Sequence, residues 1–232
     1  MRFPLPLTAD LGIALAARAF ARHSGRSVVA PLDPAELCHR SDDLPKHDAP
    51  AVWIAGSEPL RQPDIAATTR KLLNAGRYVF LRTDGELWLR RVHEFQPVSR
   101  FFVTLNCNRA GHTRAKEAIR TARLSGFFTC VHTEISAGIE LAELQTLQEY
   151  VRVLRVDGWV IAASAASGTL EYLTLQRTAA EARTFIPSRR WRIFSEFVEA
   201  AIHARTERAP QPGRSLAAAS SADACEESAG AQ

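Results

Sequence analysis

The sequence predicts an α/β fold in which a parallel sheet, covered by helices, curls into an incomplete six-unit barrel. Short apolar runs alternate with stretches of helical periodicity along most of the 232 residues. The apolar runs are continuous, which is typical of parallel strands buried on both faces. Their starts lie roughly 25 residues apart, the length of one strand and its returning helix. An open, doubly wound sheet produces the same pattern and is the alternative.

Six apolar runs are predicted as strands. Each ends in small or polar residues, as expected where a strand passes into a loop. In chain order they are Ser27 to Pro34, Ala51 to Gly56, Tyr78 to Gly85, Arg100 to Cys107, Phe127 to Ile135 and Gly158 to Ala165. In either α/β architecture, ligands bind at the carboxyl ends of such strands.

The segments between the strands have the spacing of amphipathic helices. In residues 63–76, Ile65, Leu72 and Leu73 share one face, and Gly76 ends the helix. Residues 140–154 repeat the pattern, and two further helices are predicted over 170–183 and 188–205.

Three parts of the chain are distinguished by composition. Residues 1–26 predict an amphipathic helix, which is too short and too charged to span a membrane but suited to peripheral contact with one. Residues 27–204 form the predicted barrel. Residues 205–232 are rich in Ala, Ser, Gly and Pro and predict a disordered tail.

Charge and cysteine content narrow the function classes. The net charge of +4 is spread along helices without a basic block, so nucleic acid is not an expected partner. The four cysteines form no CxxC pair and follow no secretory signal, which indicates a reducing cytoplasm, with the inner face of the membrane as the site of any peripheral contact. The sequence does not indicate an oligomeric state.

Motifs at three strand ends resemble those of one enzyme family. The segments are Val28–Leu44 (VVAPLDPAELCHRSDDL), Val52–Leu60 (VWIAGSEPL) and Val79–Trp88 (VFLRTDGELW). They resemble, in this order, the first strand with its CxxxCxxC loop, the GGEPL element and the TNG turn of radical S-adenosylmethionine (SAM) enzymes. Within that superfamily the chain is most similar to the hopanoid-biosynthesis type, over roughly residues 3 to 204.

The resemblance implies a partial (β/α)6 TIM-like barrel of the radical SAM type with SAM as a candidate cofactor. The implied SAM-binding residues are those of the two turns together with His132: Gly56, Ser57, Glu58, Pro59, Thr83, Asp84 and Gly85. Main-chain carbonyls of a glycine turn suit the ammonium of SAM. Ser57 replaces the family's second glycine, and Asp84 replaces its asparagine.

The cluster motif is incomplete. Cys38 stands where the first cluster cysteine belongs and is the one candidate metal ligand, while Asp42 and Pro45 occupy the next two positions. A 4Fe–4S cluster of this family needs three thiolates. The resemblance therefore implies an atypical or inactive relative, a pseudoenzyme acting beside an active radical SAM enzyme as its protein partner.

Two other functions stay open. One is an active enzyme that generates a 5′-deoxyadenosyl radical with an atypical cluster site, and the other is an α/β module that binds an unrelated small molecule. Cys107 and Cys130 are candidates to complete a metal site with Cys38, with His39 and His132 nearby, or to be buried apolar residues.

Two further polar sets have alternative interpretations. His132 and Glu134 are predicted to share one face of their strand. They either bind a ligand together or are polar residues whose hydrogen bonds are made within the protein. The arginines around Trp191 form an anion clamp or the solvated start of a helix: Arg189, Arg190 and Arg192.

Overall fold

The structure, a computed structural model, describes residues 29–33, 49–56, 58–109, 113–164 and 169–208. Six strands form one sheet in sequence order, and all neighbouring strands are parallel. The strands are β1 (Val29–Leu32), β2 (Ala51–Ile54), β3 (Tyr78–Thr83), β4 (Phe101–Asn106), β5 (Phe128–Ile135) and β6 (Gly158–Ala163). Each lies inside a predicted strand, and the predicted fold class is confirmed.

Helices connect or follow the strands, and all but the last lie on the outer face of the sheet. They are α1 (Ile65–Asn74), α2 (Trp88–Arg91), α3 (Thr113–Leu124), α4 (Leu141–Val153), α5 (Thr169–Arg183) and α6 (Arg189–Arg208), with short 3₁₀ helices at Pro59–Arg61 and Val92–Glu94. Helix α1 packs against β3, α3 against β4 and β5, and α5 against β5 and β6. The predicted amphipathic helix at 1–26 lies outside the described residues, as does the predicted tail beyond Arg208.

The inner face of the sheet has a continuous row of aromatic rings. Trp53, Phe80, Phe102 and Phe128 are register partners on β2 to β5. Their ring centroids lie 5.9, 4.6 and 5.4 Å apart along the row. Because alternate residues of a strand point to the same side, these rings share the inner face.

Helix α6 fills the space inside the curled sheet. It contacts both β6 and β1, the two edge strands. The Phe194 ring lies 4.5 Å from that of Phe80, and the Trp191 ring lies 6.1 Å from that of Phe102. Trp191 packs so closely on β6 that a Cβ at Gly158 would lie 2.2 Å from its ring. The inside of the barrel is therefore packed as a hydrophobic core.

Side chains of α5 and α6 bind the free edge of β6. The N–H of Ile161 donates to Ser195 Oγ (3.3 Å), and the N–H of Ala163 donates to Glu199 Oε2 (2.8 Å). Arg183 Nε donates to the carbonyl of Ile161 (3.0 Å) and forms a buried ion pair with Glu199. Backbone groups that an adjacent strand would otherwise satisfy are bound here by side chains.

In the part of the chain that the structure describes, no helix is long and apolar enough to cross a membrane.

We expect Glu199→Ala to lower the free energy of unfolding by about 3 to 5 kcal/mol, because it leaves Arg183 buried and unpaired and the N–H of Ala163 without its acceptor. Urea denaturation followed by circular dichroism measures the change. Glu196→Ala on the exposed side of the same helix is the matched control, for which a change within about 0.5 kcal/mol is expected. Equal losses in the two variants would contradict the importance of the edge contacts.

Candidate functional site

The carboxyl ends of the strands form the mouth of the barrel, and the two predicted turns lie side by side there. Gly56 is exposed, with φ of 137°, just after β2. Glu58 precedes the 3₁₀ helix that Pro59 begins. Thr83 ends β3, and Asp84 and Gly85 form the next turn. Ser57 lies outside the described residues.

The Glu58 carboxylate connects the two turns. Oε1 accepts from the Thr83 hydroxyl (2.8 Å) and from the N–H of Leu60 (3.1 Å), and Oε2 accepts from the N–H of Asp84 (2.9 Å). Burial raises the pKa of Glu58, while these three donors oppose the shift. A carboxylate with three donors between two loops is a positioning group, since both of its oxygens are engaged.

The turn after β3 requires glycine at position 85. Gly85 has φ of 88°, and a Cβ there would lie 2.7 Å from that of Ala118 on α3. Its N–H donates to the Thr83 hydroxyl oxygen (3.1 Å), and Asp84 Oδ1 accepts from the N–H of Glu86 (2.8 Å). The aspartate thus forms the local turn that asparagine also forms.

Charged and polar side chains of β3 to β6 line the inner wall of the mouth. Arg82 Nη2 lies 3.6 Å from Glu134 Oε2, and Ser164 donates to Glu134 Oε1 (2.7 Å). Arg82 makes no hydrogen bond within the described residues, although its side chain is only 20% exposed. Burial lowers the pKa of Arg82, and Glu134 and Glu58 oppose that shift. A guanidinium with unused N–H donors at a strand end can donate hydrogen bonds to an anionic group of a ligand.

His132 lies beneath this polar layer. Its Nδ1 is 3.3 Å from Asn106 Oδ1, its ring meets that of Trp53 edge-on at 5.4 Å, and its buried Nε2 has no hydrogen-bond partner in the described part of the chain. Burial, with a contribution from the charge of Arg82, holds the pKa of His132 well below its usual value. The imidazole is therefore neutral.

Comparison with known proteins supports the fold. No protein-family model matches the chain, and no curated protein matches it. A solved structure of SuiB from Streptococcus suis bound to S-adenosylmethionine matches with a TM-score of 0.53 and 12% identity, covering 74% of this chain and 48% of that one. SuiB bound to the precursor peptide SuiA gives the same score and identity, over 50% of that chain. This chain has the partial α/β barrel of the radical SAM type. It spans about half the length of SuiB.

The cysteines of this barrel that the structure describes do not suit a cluster. Cys130 shares the inner face with His132, whereas Cys107 lies on the outer side, where its charge would act on Tyr150 of α4. Burial raises the pKa of Cys107 to about 11 and that of Cys130 well above its usual value. Because the two side chains point to opposite faces of the sheet, they cannot bind one metal centre together. Cys38 and His39 lie outside the described residues.

Among the described residues, no three His, Cys, Asp or Glu side chains come together as a metal site. The described residues therefore supply no set of three thiolates of the kind that holds a 4Fe–4S cluster.

The arginines around Trp191 do not form a clamp with it. The indole is 1% exposed and faces the core of the barrel. Arg192 donates to the carbonyl of Ile186 (3.0 Å), while Arg189 and Arg190 are exposed at the start of α6. This segment is the start of a helix, the second of the two interpretations.

Three residues of the mouth were not predicted: Arg82, Asn106 and Ser164. A signal for them is present, since Arg82 is two residues after Phe80 and Asn106 is four after Phe102, on the same strand faces. His132 and Glu134 do share the inner face, as predicted, but each binds its own partners.

We expect the free energy of unfolding to fall as the pH drops below about 6.5. His132 binds a proton in that range in the unfolded state but stays neutral in the folded state, so acid favours unfolding. One such group contributes up to about 1.4 kcal/mol per pH unit. Urea unfolding of wild type and His132→Asn between about pH 7 and pH 5 measures the contribution of His132, because the other titrating groups are common to both proteins.

We expect the pH slope of the unfolding free energy to be shallower in His132→Asn than in wild type. A wild-type slope in His132→Asn would show that His132 is protonated equally in the folded and unfolded states.

Proposed function

We propose that this chain is a radical SAM-like barrel protein that binds SAM at the mouth of its barrel without assembling a three-cysteine cluster. The observation that carries the proposal is the bonding of Glu58, which joins the Gly56 turn to the Thr83–Gly85 turn. These are the two segments that resemble SAM-binding elements. They meet at the carboxyl ends of parallel strands, where α/β folds bind ligands.

The mouth offers complementary groups to both ends of an amino acid. Main-chain carbonyls of the exposed turn at Gly56 are acceptors for an ammonium. Arg82, with five N–H donors and no hydrogen bond among the described residues, is the natural partner of a carboxylate. SAM has both groups on its methionyl end, and its sulfonium is the reactive centre that it brings when bound.

Three observations favour binding over radical chemistry. Cys107 and Cys130 lie on opposite faces of the sheet as protonated thiols, and the sequence lacks two of the three motif cysteines after Cys38. In addition, Trp191 and Phe194 fill the barrel below His132, where a substrate would otherwise reach the centre of the barrel.

The proposed role is therefore that of a partner or regulator of an active radical SAM enzyme. The resemblance to the hopanoid-biosynthesis type supports the proposal that this enzyme acts in isoprenoid or hopanoid metabolism. We place the protein in the cytoplasm, consistent with free, protonated thiols.

Isothermal titration of the full chain with SAM tests this function. We expect saturable binding, weakened about tenfold or more by Arg82→Gln, because a hydrogen bond to a charged group contributes about 1.5 to 3 kcal/mol. Arg90→Gln is the matched control, since Arg90 is exposed on α2, whose Trp88 packs against Phe95 and Phe127. Circular dichroism checks that each variant is folded.

Absence of SAM binding by the folded wild type would contradict the proposed function and favour a module for another small molecule. Equal weakening by Arg82→Gln and Arg90→Gln would contradict the assignment of Arg82 to the carboxylate.

A further inference from the structure

A second cavity lies at the opposite end of the barrel from the mouth. It has a volume of about 290 Å³ and opens where β6 begins, between the end of α4 and the start of α6. Its lining is mostly apolar, and the residues that matter here are Val151, Val156, Phe185, Ile186 and Trp191. A cavity of this size is at the lower end of the range for small-molecule sites.

Two arginines, Arg152 and Arg155, stand at the rim of the cavity. Arg152 is paired with Glu149 on α4 (2.8 Å). The cavity's one carboxylate, Asp157, accepts from the N–H of Thr129 (2.8 Å) and so is bound to β5. Within the described residues the Arg155 side chain has no partner, which leaves a free cation beside an apolar cavity.

Arg155 is also held in an unfavourable backbone conformation. Its φ of 50° is the one positive value at a non-glycine position among the described residues. Two other helices, α1 and α3, end in the same geometry with glycine, at Gly76 and Gly126, both with φ of 82°. At all three ends the N–H bonds the carbonyl three residues back. The chain thus uses arginine where its own equivalent turns use glycine.

We propose that this cavity binds a small amphipathic anion, with its apolar body against Val156 and Phe185 and its carboxylate on Arg155. The mostly apolar walls suit an alkyl or aromatic body. The free guanidinium at the rim suits a planar, two-oxygen anion. The positive charge of Arg155 disfavours an amphipathic cation. Binding of an anion would also explain why arginine stands at a position whose backbone conformation favours glycine.

Octanoate, octanol and octylammonium, titrated separately into the full chain and followed by calorimetry, test the proposal. We expect octanoate to bind tightest and octylammonium weakest. Arg155→Gly should weaken octanoate binding about tenfold or more, because it removes the charge-assisted contact. Arg155→Lys, which retains the charge, should recover most of the affinity.

The stability of Arg155→Gly separates binding from folding. Since glycine is unstrained at φ of 50°, its thermal midpoint should equal or exceed that of wild type. Octanoate affinity unchanged in Arg155→Gly, equal affinity for octanoate and octanol, or no octanoate binding would each overturn the proposal. SAM binding at the mouth is expected to be unaffected by these variants, so the two sites are tested independently.

Discussion

The bonding of the free edge of β6 is the constraint on which the rest of the structure depends. A six-stranded parallel sheet that does not close leaves a row of unpaired N–H and C=O groups on its last strand. Ser195 and Glu199, one helical turn apart on α6, accept from Ile161 and Ala163, and Arg183 completes the set from α5. Because the Arg183–Glu199 pair is buried, it contributes only when all of its partners are in place.

The same helix determines where ligands can bind. To reach the β6 edge, α6 must lie between β6 and β1, and this places Trp191 and Phe194 against the aromatic row of the inner face. Burial of these rings stabilises the sheet, yet it also fills the middle of the barrel. The two proposed ligand sites therefore lie at the ends of the barrel, one at the polar mouth around Arg82 and one at the cavity beside Arg155.

Much of this architecture could be predicted from sequence because parallel strands have long apolar runs and regular spacing. The two turns at the mouth were also predictable, since Gly56 and Gly85 belong to recognisable motifs. The Arg82–Glu134–Ser164 contacts and the edge bonding by Glu199 were not, because they depend on which residues distant in sequence meet after the sheet curls. Trp191 shows the same limit, since its arginine neighbours suggest a surface site and only packing reveals a core residue.

We propose that the radical SAM-type barrel of this chain holds no three-cysteine cluster. Anaerobic reconstitution of the full chain with iron and sulfide, followed by metal analysis and visible spectroscopy beside a Cys38→Ala variant, tests it most directly. We expect a folded, colourless protein with no stoichiometric iron in either form. About four irons per chain, lost together with the visible absorbance in Cys38→Ala, would contradict the proposal and make the chain a candidate for an active radical SAM enzyme.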